Sequence, residues 1–158
     1  LSQARLPPWG AAPHALVDAA LVRNLNQALK QTLGPDAALA TMRRAGELTG
    51  GYILANRIPR RAIAALRLMP APLGVNMLLM AIARHSWTFA GNASVEIRHG
   101  WRHYAISIRQ NPLAFGPCVW HEAVFATLLT PLAGKGLRVR ETACCRDGAQ
   151  ACRFEVCH

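Results

Sequence analysis

The chain has 158 residues, 52% of them hydrophobic and 16% charged, which is enough apolar material for one compact domain and excludes a disordered, highly charged chain. Its 18 lysines and arginines against 8 acidic residues give a formal charge of +10. That excess favours an anionic partner such as nucleic acid, anionic lipid or a carboxylate-bearing ligand, although sixteen arginines in an alanine-rich chain are also what a compositional bias would produce.

Residues 1–13 carry Pro7, Pro8, Gly10 and Pro13 without periodicity and read as an irregular arm, leaving 14–158 as the domain. The start, Leu1 to Pro13, lacks a charged region followed by an apolar one, so no secretory signal is expected. From His14, apolar positions recurring at three and four predict a helix that Gly34-Pro35 stops. Asp36 can cap a second helix reaching Asn56, within which Gly50-Gly51 hints at a close helix contact. Pro59 suits the first turn of a short basic helix, Arg60 to Leu68. After Pro70-Ala71-Pro72 comes the most apolar helix, Leu73 to about Trp87. The prolines and Asn76 keep the stretch from Leu68 to Ala83 from being a spanning helix.

Beyond Gly91-Asn92 the period changes to two. Ser94 to Arg98 and Tyr104 to Arg109 predict a hairpin about His99-Gly100-Trp101. Val119 to Thr130 reads as a helix ended by Pro131 and Gly134, and Leu137 to Cys145 with Ala151 to Cys157 as a second hairpin turning at Asp147-Gly148. The expected fold is α+β: N-terminal helices followed by an antiparallel sheet built from two hairpins with one intervening helix, in a single domain.

The metal-binding residue types concentrate near the C-terminus. Cys118, Glu141, Cys144 and Cys152 could give zinc three thiolates and a carboxylate. A three-residue loop, Asp147-Gly148-Ala149, would set Cys144 across from Cys152 with Cβ atoms roughly 5 Å apart, whereas a two-residue loop would pair Cys144 with Ala151. A regular strand puts Glu141 and Cys144 on opposite faces, so joint binding requires a bulge or turn between them. Arg140, Arg146 and Arg153 are placed to offset the negative site. The alternatives are free core cysteines or a Cys144–Cys152 disulfide. Five clustered cysteines, an odd number, favour a reducing compartment, so the expected location is cytoplasmic, with the periphery of a membrane as an option.

In order and spacing, Cys118, Glu141, Cys144 and Cys152 match the zinc ligands of the 4-vinyl reductase domain family, which includes the ligand-sensing domains of phenol-responsive bacterial regulators. The stretch from Ala81 to Gly91, Asn111-Pro112 and Cys152-Arg153-Phe154 resemble more narrowly the J-type members that act in bacteriochlorophyll biosynthesis. The resemblance spans about residues 15–157. It implies a mixed helix and sheet domain, usually a homodimer, with an internal pocket for an aromatic ligand, a zinc site, and reduction of the 8-vinyl group of divinyl protochlorophyllide.

A reductase needs a hydride donor, yet no GxGxxG turn is present, so no nucleotide cofactor is expected. A zinc ion with four protein ligands is structural rather than catalytic. The preferred expectation is therefore a protein that binds or carries a magnesium tetrapyrrole for enzymes of bacteriochlorophyll synthesis. An 8-vinyl reductase using an external reductant is the alternative, and a sensor of small aromatic ligands a further one. Leu78, Ala81, Ile82, His85 and Phe89 share a helix face, making His85 a candidate axial ligand to the magnesium. A histidine satisfied by a backbone carbonyl is the competing reading. His99 and His103 about Trp101 are the next candidates. Arg60 and Arg61, with Arg57 and Arg67, could receive a propionate or form a solvated face. Trp87, Phe89, Trp101 and Trp120 could wall the pocket or fill the core. His121-Glu122 does not form HExxH, and no motif supports nucleic-acid binding.

Overall fold

The computed structural model describes residues 18–100, 103–134 and 136–157. The proposed arm and Trp101 lie outside them. The helices are α1 (Ala19–Leu33), α2 (Pro35–Asn56), α3 (Arg60–Leu68), α4 (Ala71–Arg84), the short α5 (Trp87–Ala90) and α6 (Val119–Ala133). The strands are β1 (Val95–Arg98), β2 (His103–Arg109), β3 (Arg138–Ala143) and β4 (Ala151–Cys157). This is the α+β arrangement that the change of period predicts, with one helix inserted between two strand pairs.

Local signals account for most boundaries. The Asp18 carboxylate caps α1 by accepting the Ala20 N–H at 2.6 Å. Gly34, at φ 79°, takes the left-handed turn into α2, whose first residue is Pro35. Several boundaries differ from expectation: Asp36 lies inside α2, whose N-cap is Gly34, and α4 begins at Ala71. Helix α4 stops at Arg84 rather than near Trp87, because His85 leaves helical geometry (φ −105°, ψ 17°), and the chain re-enters one short turn at Trp87. Pro131 does not end α6: it sits in the last turn, where only one backbone donor is lost, and the helix stops at Gly134. The last two strands are joined not by a tight turn but through a 3₁₀ turn, Cys145–Asp147, followed by Gly148 at φ 88°.

All pairings are antiparallel and the strand order is β1-β2-β4-β3. The two hairpins therefore meet through β2 and β4, with Ile106 opposite Phe154 and Tyr104 opposite Val156. One face of the sheet, carrying Tyr104, Ile106, Ile108, Cys152, Phe154 and Val156, packs with Phe125, Leu128, Leu129 and Leu132 of α6 to make the core. Helix α2 lies on the other side of α6. The crossing is close because Gly46 and Gly50 have no side chain: a Cβ on Gly46 would sit 2.5 Å from the Trp120 carbonyl oxygen, and one on Gly50 2.7 Å from Thr127 Cβ. Of the Gly50-Gly51 pair, Gly50 makes the expected contact. Gly51 faces open space.

Candidate metal centre

Cys118, Glu141, Cys144 and Cys152 come together, each offering one ligand atom, all within 4.8 Å of one another. Cys118 is fully buried at the N-cap of α6. Its position is set by the preceding loop, which Lys30 of α1 holds by donating to the carbonyls of Phe115 (2.7 Å) and Gly116 (3.3 Å). Cys152 is on the inner face of β4, opposite Ile108. The ladder between β3 and β4 shifts register between Glu141 and Ala143, a bulge at Thr142. This is the irregularity that joint use of Glu141 and Cys144 requires. Beyond it Ala143 pairs with Arg153, the register that a three-residue loop would give. The ladder ends there, however, and Cys144 faces Cys152 from the start of the 3₁₀ turn rather than from a strand pair.

The sulfur separations are 3.6 Å (Cys118–Cys144), 3.7 Å (Cys118–Cys152) and 4.0 Å (Cys144–Cys152). A tetrahedral zinc ion with Zn–S near 2.3 Å requires about 3.8 Å between sulfurs, whereas a disulfide requires about 2.0 Å. All three are free thiols. Glu141 Oε2 accepts the Cys118 N–H at 2.7 Å, while Glu141 Oε1 is buried without a partner among the described residues, an orphan that a cation would satisfy. The residues therefore fit zinc in number, type and spacing.

The cluster resists carrying several anions together. Burial pushes the Glu141 carboxyl and the Cys144 thiol up, the latter to about 11. The hydrogen bond from Cys118 draws Cys152 down to about 5, while the same bond and burial push Cys118 up. Cys118 Sγ is placed to donate to Cys152 Sγ at 3.7 Å. The buried Asn111 carboxamide also helps to hold Cys152 low, as does the Cys145 backbone N–H, 3.3 Å from Cys152 Sγ.

One supporting residue goes unseen in sequence. Glu122 of α6 accepts the Glu141 N–H through Oε2 (2.9 Å) and pairs through Oε1 with Arg43 of α2 (3.1 Å), tying two helices to the strand that carries a candidate ligand. Its signal, His121-Glu122, serves only to reject a different motif. Arg140, Arg146 and Arg153, expected beside the metal, are exposed, and Arg153 instead lines a concavity of about 390 Å³ on the outer face of the sheet with Arg98, Ser107 and Arg109. None of the residues proposed for the ligand lines that concavity.

Nor do those ligand candidates form a buried pocket. His85, Trp87, His103, Arg60 and Arg61 are exposed, and Phe89 is half-buried against His121 and Phe125. His85 does not project from an apolar stripe as expected, because α4 has ended: Leu78 and Ile82 turn inward while Ala81 and His85 face solvent. His85 Nδ1 lies 2.9 Å from the Ala81 carbonyl oxygen, which can only accept, so Nδ1 donates to it and Nε2 is the ring nitrogen left for a ligand. His99 is tied to α4 through the Asn76 side chain at 2.7 Å. His121 is buried among Phe89, Trp120, Phe125 and Phe154, and burial pulls it down to about 4.

Residues 106–157 match the 4-vinyl reductase domain, a stretch holding all four candidate metal ligands. The chain is 45% identical over 141 residues to the bacteriochlorophyll synthase 23 kDa chain of Cereibacter sphaeroides, an alignment that covers 85% of this chain and 68% of that one. It is 38% identical over 137 residues to the protein of the same name from Rhodobacter capsulatus, covering 84% and 63%. About two thirds of the length of these relatives is thus represented. In three dimensions the chain resembles the phenol-responsive sensory domain of the transcription activator PoxR, solved with phenol, with a TM-score of 0.61, 19% identity, and coverage of 94% of this chain and 78% of that one, a likeness of fold. The chain belongs to the 4-vinyl reductase domain family, on the branch of the bacteriochlorophyll synthase 23 kDa chain.

Proposed function

We propose that this protein acts in bacteriochlorophyll biosynthesis by binding or carrying a magnesium tetrapyrrole of the protochlorophyllide type, on a domain clasped by a structural zinc ion. The observation that carries the pathway is the 45% identity to the bacteriochlorophyll synthase 23 kDa chain. His85 supports the pigment. A metal-ligating histidine typically donates its other ring N–H to a carbonyl, the bond His85 makes to Ala81, and the exposed Trp87 beside it offers a flat apolar surface. Arg60 and Arg61 are the candidate partners for a propionate carboxylate. Zinc would be held by Cys118, Glu141, Cys144 and Cys152, four protein ligands that leave no open position for catalysis. A homodimer working at the periphery of a membrane, with enzymes of the same pathway, belongs to this proposal.

A visible-spectrum titration with divinyl protochlorophyllide tests it: saturable binding, weakened about tenfold or more by His85→Ala, is expected, and the absence of any spectral shift would sink the pigment reading. Adding NADPH or reduced ferredoxin then separates carrier from enzyme, since loss of the 8-vinyl signature would make the protein the reductase. For the metal, elemental analysis should give one zinc per chain. Freely titrating thiols with no zinc would remove the clasp.

A further inference from the structure

From Leu48 to Val95 the chain contains five arginines, Arg57, Arg60, Arg61, Arg67 and Arg84, and not one aspartate or glutamate. That stretch includes α3 and α4, which are joined through Met69 and Pro70 alone. At 100° per residue, Leu73, Met77, Met80 and Arg84 of α4 fall within about 60° of one another on one face. This face is turned outward: Leu73 is 56% exposed, Met77 51% and Met80 64%, with Leu68 at the end of α3 87% exposed and Trp87 just beyond α4 56% exposed. The opposite face of α4, Val75, Leu78, Leu79 and Ile82, is the one in the core. Helix α4 therefore has two apolar faces, of which the fold uses one.

Single exposed apolar residues need no explanation, but large ones aligned along one helix mark a contact surface. Its chemistry selects the occupant. Leucine and methionine supply an apolar face without hydrogen-bonding demands, the tryptophan indole suits a boundary between apolar and polar surroundings, and the full charges within this stretch of chain are all guanidinium groups. An apolar face of this kind bordered by cations is the pattern of a helix lying in the headgroup region of an anionic bilayer, where each arginine near the surface adds attraction to anionic lipid. Among the described residues no helix is long and apolar enough to cross a membrane, so the contact is with the surface.

We infer that the outward face of α4, with the basic helix α3 beside it, docks this protein onto an anionic lipid surface. The inference deepens the peripheral association proposed above and rests on that reading. It would bring His85 and Trp87, both exposed just beyond the C-terminal end of α4, close to the bilayer from which an amphiphilic ring would enter.

Flotation with pigment-free vesicles tests it, so its outcome is independent of tetrapyrrole binding. The whole chain should float with vesicles of phosphatidylglycerol and phosphatidylcholine in equal parts, about tenfold less with phosphatidylcholine alone, and progressively less as salt rises. The Met77→Glu/Met80→Glu and Arg57→Glu/Arg67→Glu variants should each reduce binding at least tenfold while circular dichroism and metal content stay unchanged. No association with anionic vesicles, or association indifferent to both variants, overturns the inference. So does a wild-type dimer that Met77→Glu/Met80→Glu dissociates, since the face would then belong to a second copy.

Discussion

Glu122 lies outside the four-residue cluster yet holds the backbone of one of its members. Its carboxylate fixes the Glu141 backbone and is itself fixed by Arg43. Groups that orient metal ligands contribute roughly 10–100-fold to metal affinity, and Glu122→Ala should weaken zinc by about that factor in competition with a chromophoric chelator. The thiols make a second prediction. Cys144 titrates near 11 and Cys118 is pushed up, so both are protonated at pH 8, whereas Cys152, near 5, is already thiolate. Zinc uptake at that pH should release about two protons from the cysteines, read from calorimetry in buffers of differing ionisation enthalpy. His121 makes a third. Its folded pKa of about 4 lies below the unfolded 6.5, so between these values the unfolded chain takes up a proton that the native one refuses. Stability is thus lost as pH falls through that window, by about 3 kcal/mol in total. Denaturant titrations should show His121→Leu losing correspondingly less between pH 6.5 and 4.

At the scale of elements, the contact between α2 and α6 depends on side chains that are absent. Gly50→Ala forces a Cβ to within 2.7 Å of Thr127 and should cost about 1–3 kcal/mol in urea denaturation. Gly51→Ala, with nothing within 4 Å on an exposed part of the same helix, should instead stabilise by up to about 1 kcal/mol. Most elements, and the two hairpins, are legible in sequence because their causes are local: the period of apolar residues, Gly34-Pro35, and the bulge that Glu141 and Cys144 jointly demand. What sequence misses depends on longer-range geometry. Helix α4 stops at His85 and α6 continues through Pro131 because packing and one lost donor decide those ends, and nothing in the local pattern measures either.

For the molecule as a whole, the four cluster residues join the N-terminus of α6 to β3, β4 and the turn between them. A zinc ion held there would tie these elements together, so a chelator should lower the melting temperature of the entire domain in one transition, measurable by calorimetry, rather than loosen the last hairpin alone. The cluster was legible because its residue types are rare and its order specific. The ligand surface was not. Sequence set His85 within an apolar stripe, but which face of α4 is covered depends on α6 and the sheet, and the exposed stripe falls on the other side. The strand order, which pairs β2 with β4, depends likewise on contacts far apart in the chain.

Among the described residues that order leaves β1 and β3 at the edges of the sheet, where another chain could add a strand, although on β3 the Glu141 N–H is already taken by Glu122. Strand β1 is only four residues long and carries Glu96 and Arg98. Strand β3 is longer, but it carries Arg138 and Arg140 and is bulged at Thr142. The irregularity that lets Glu141 and Cys144 share a site also spoils the edge as a template, so a repair that straightened β3 would expose the protein to edge-to-edge aggregation as well as dismantle the cluster.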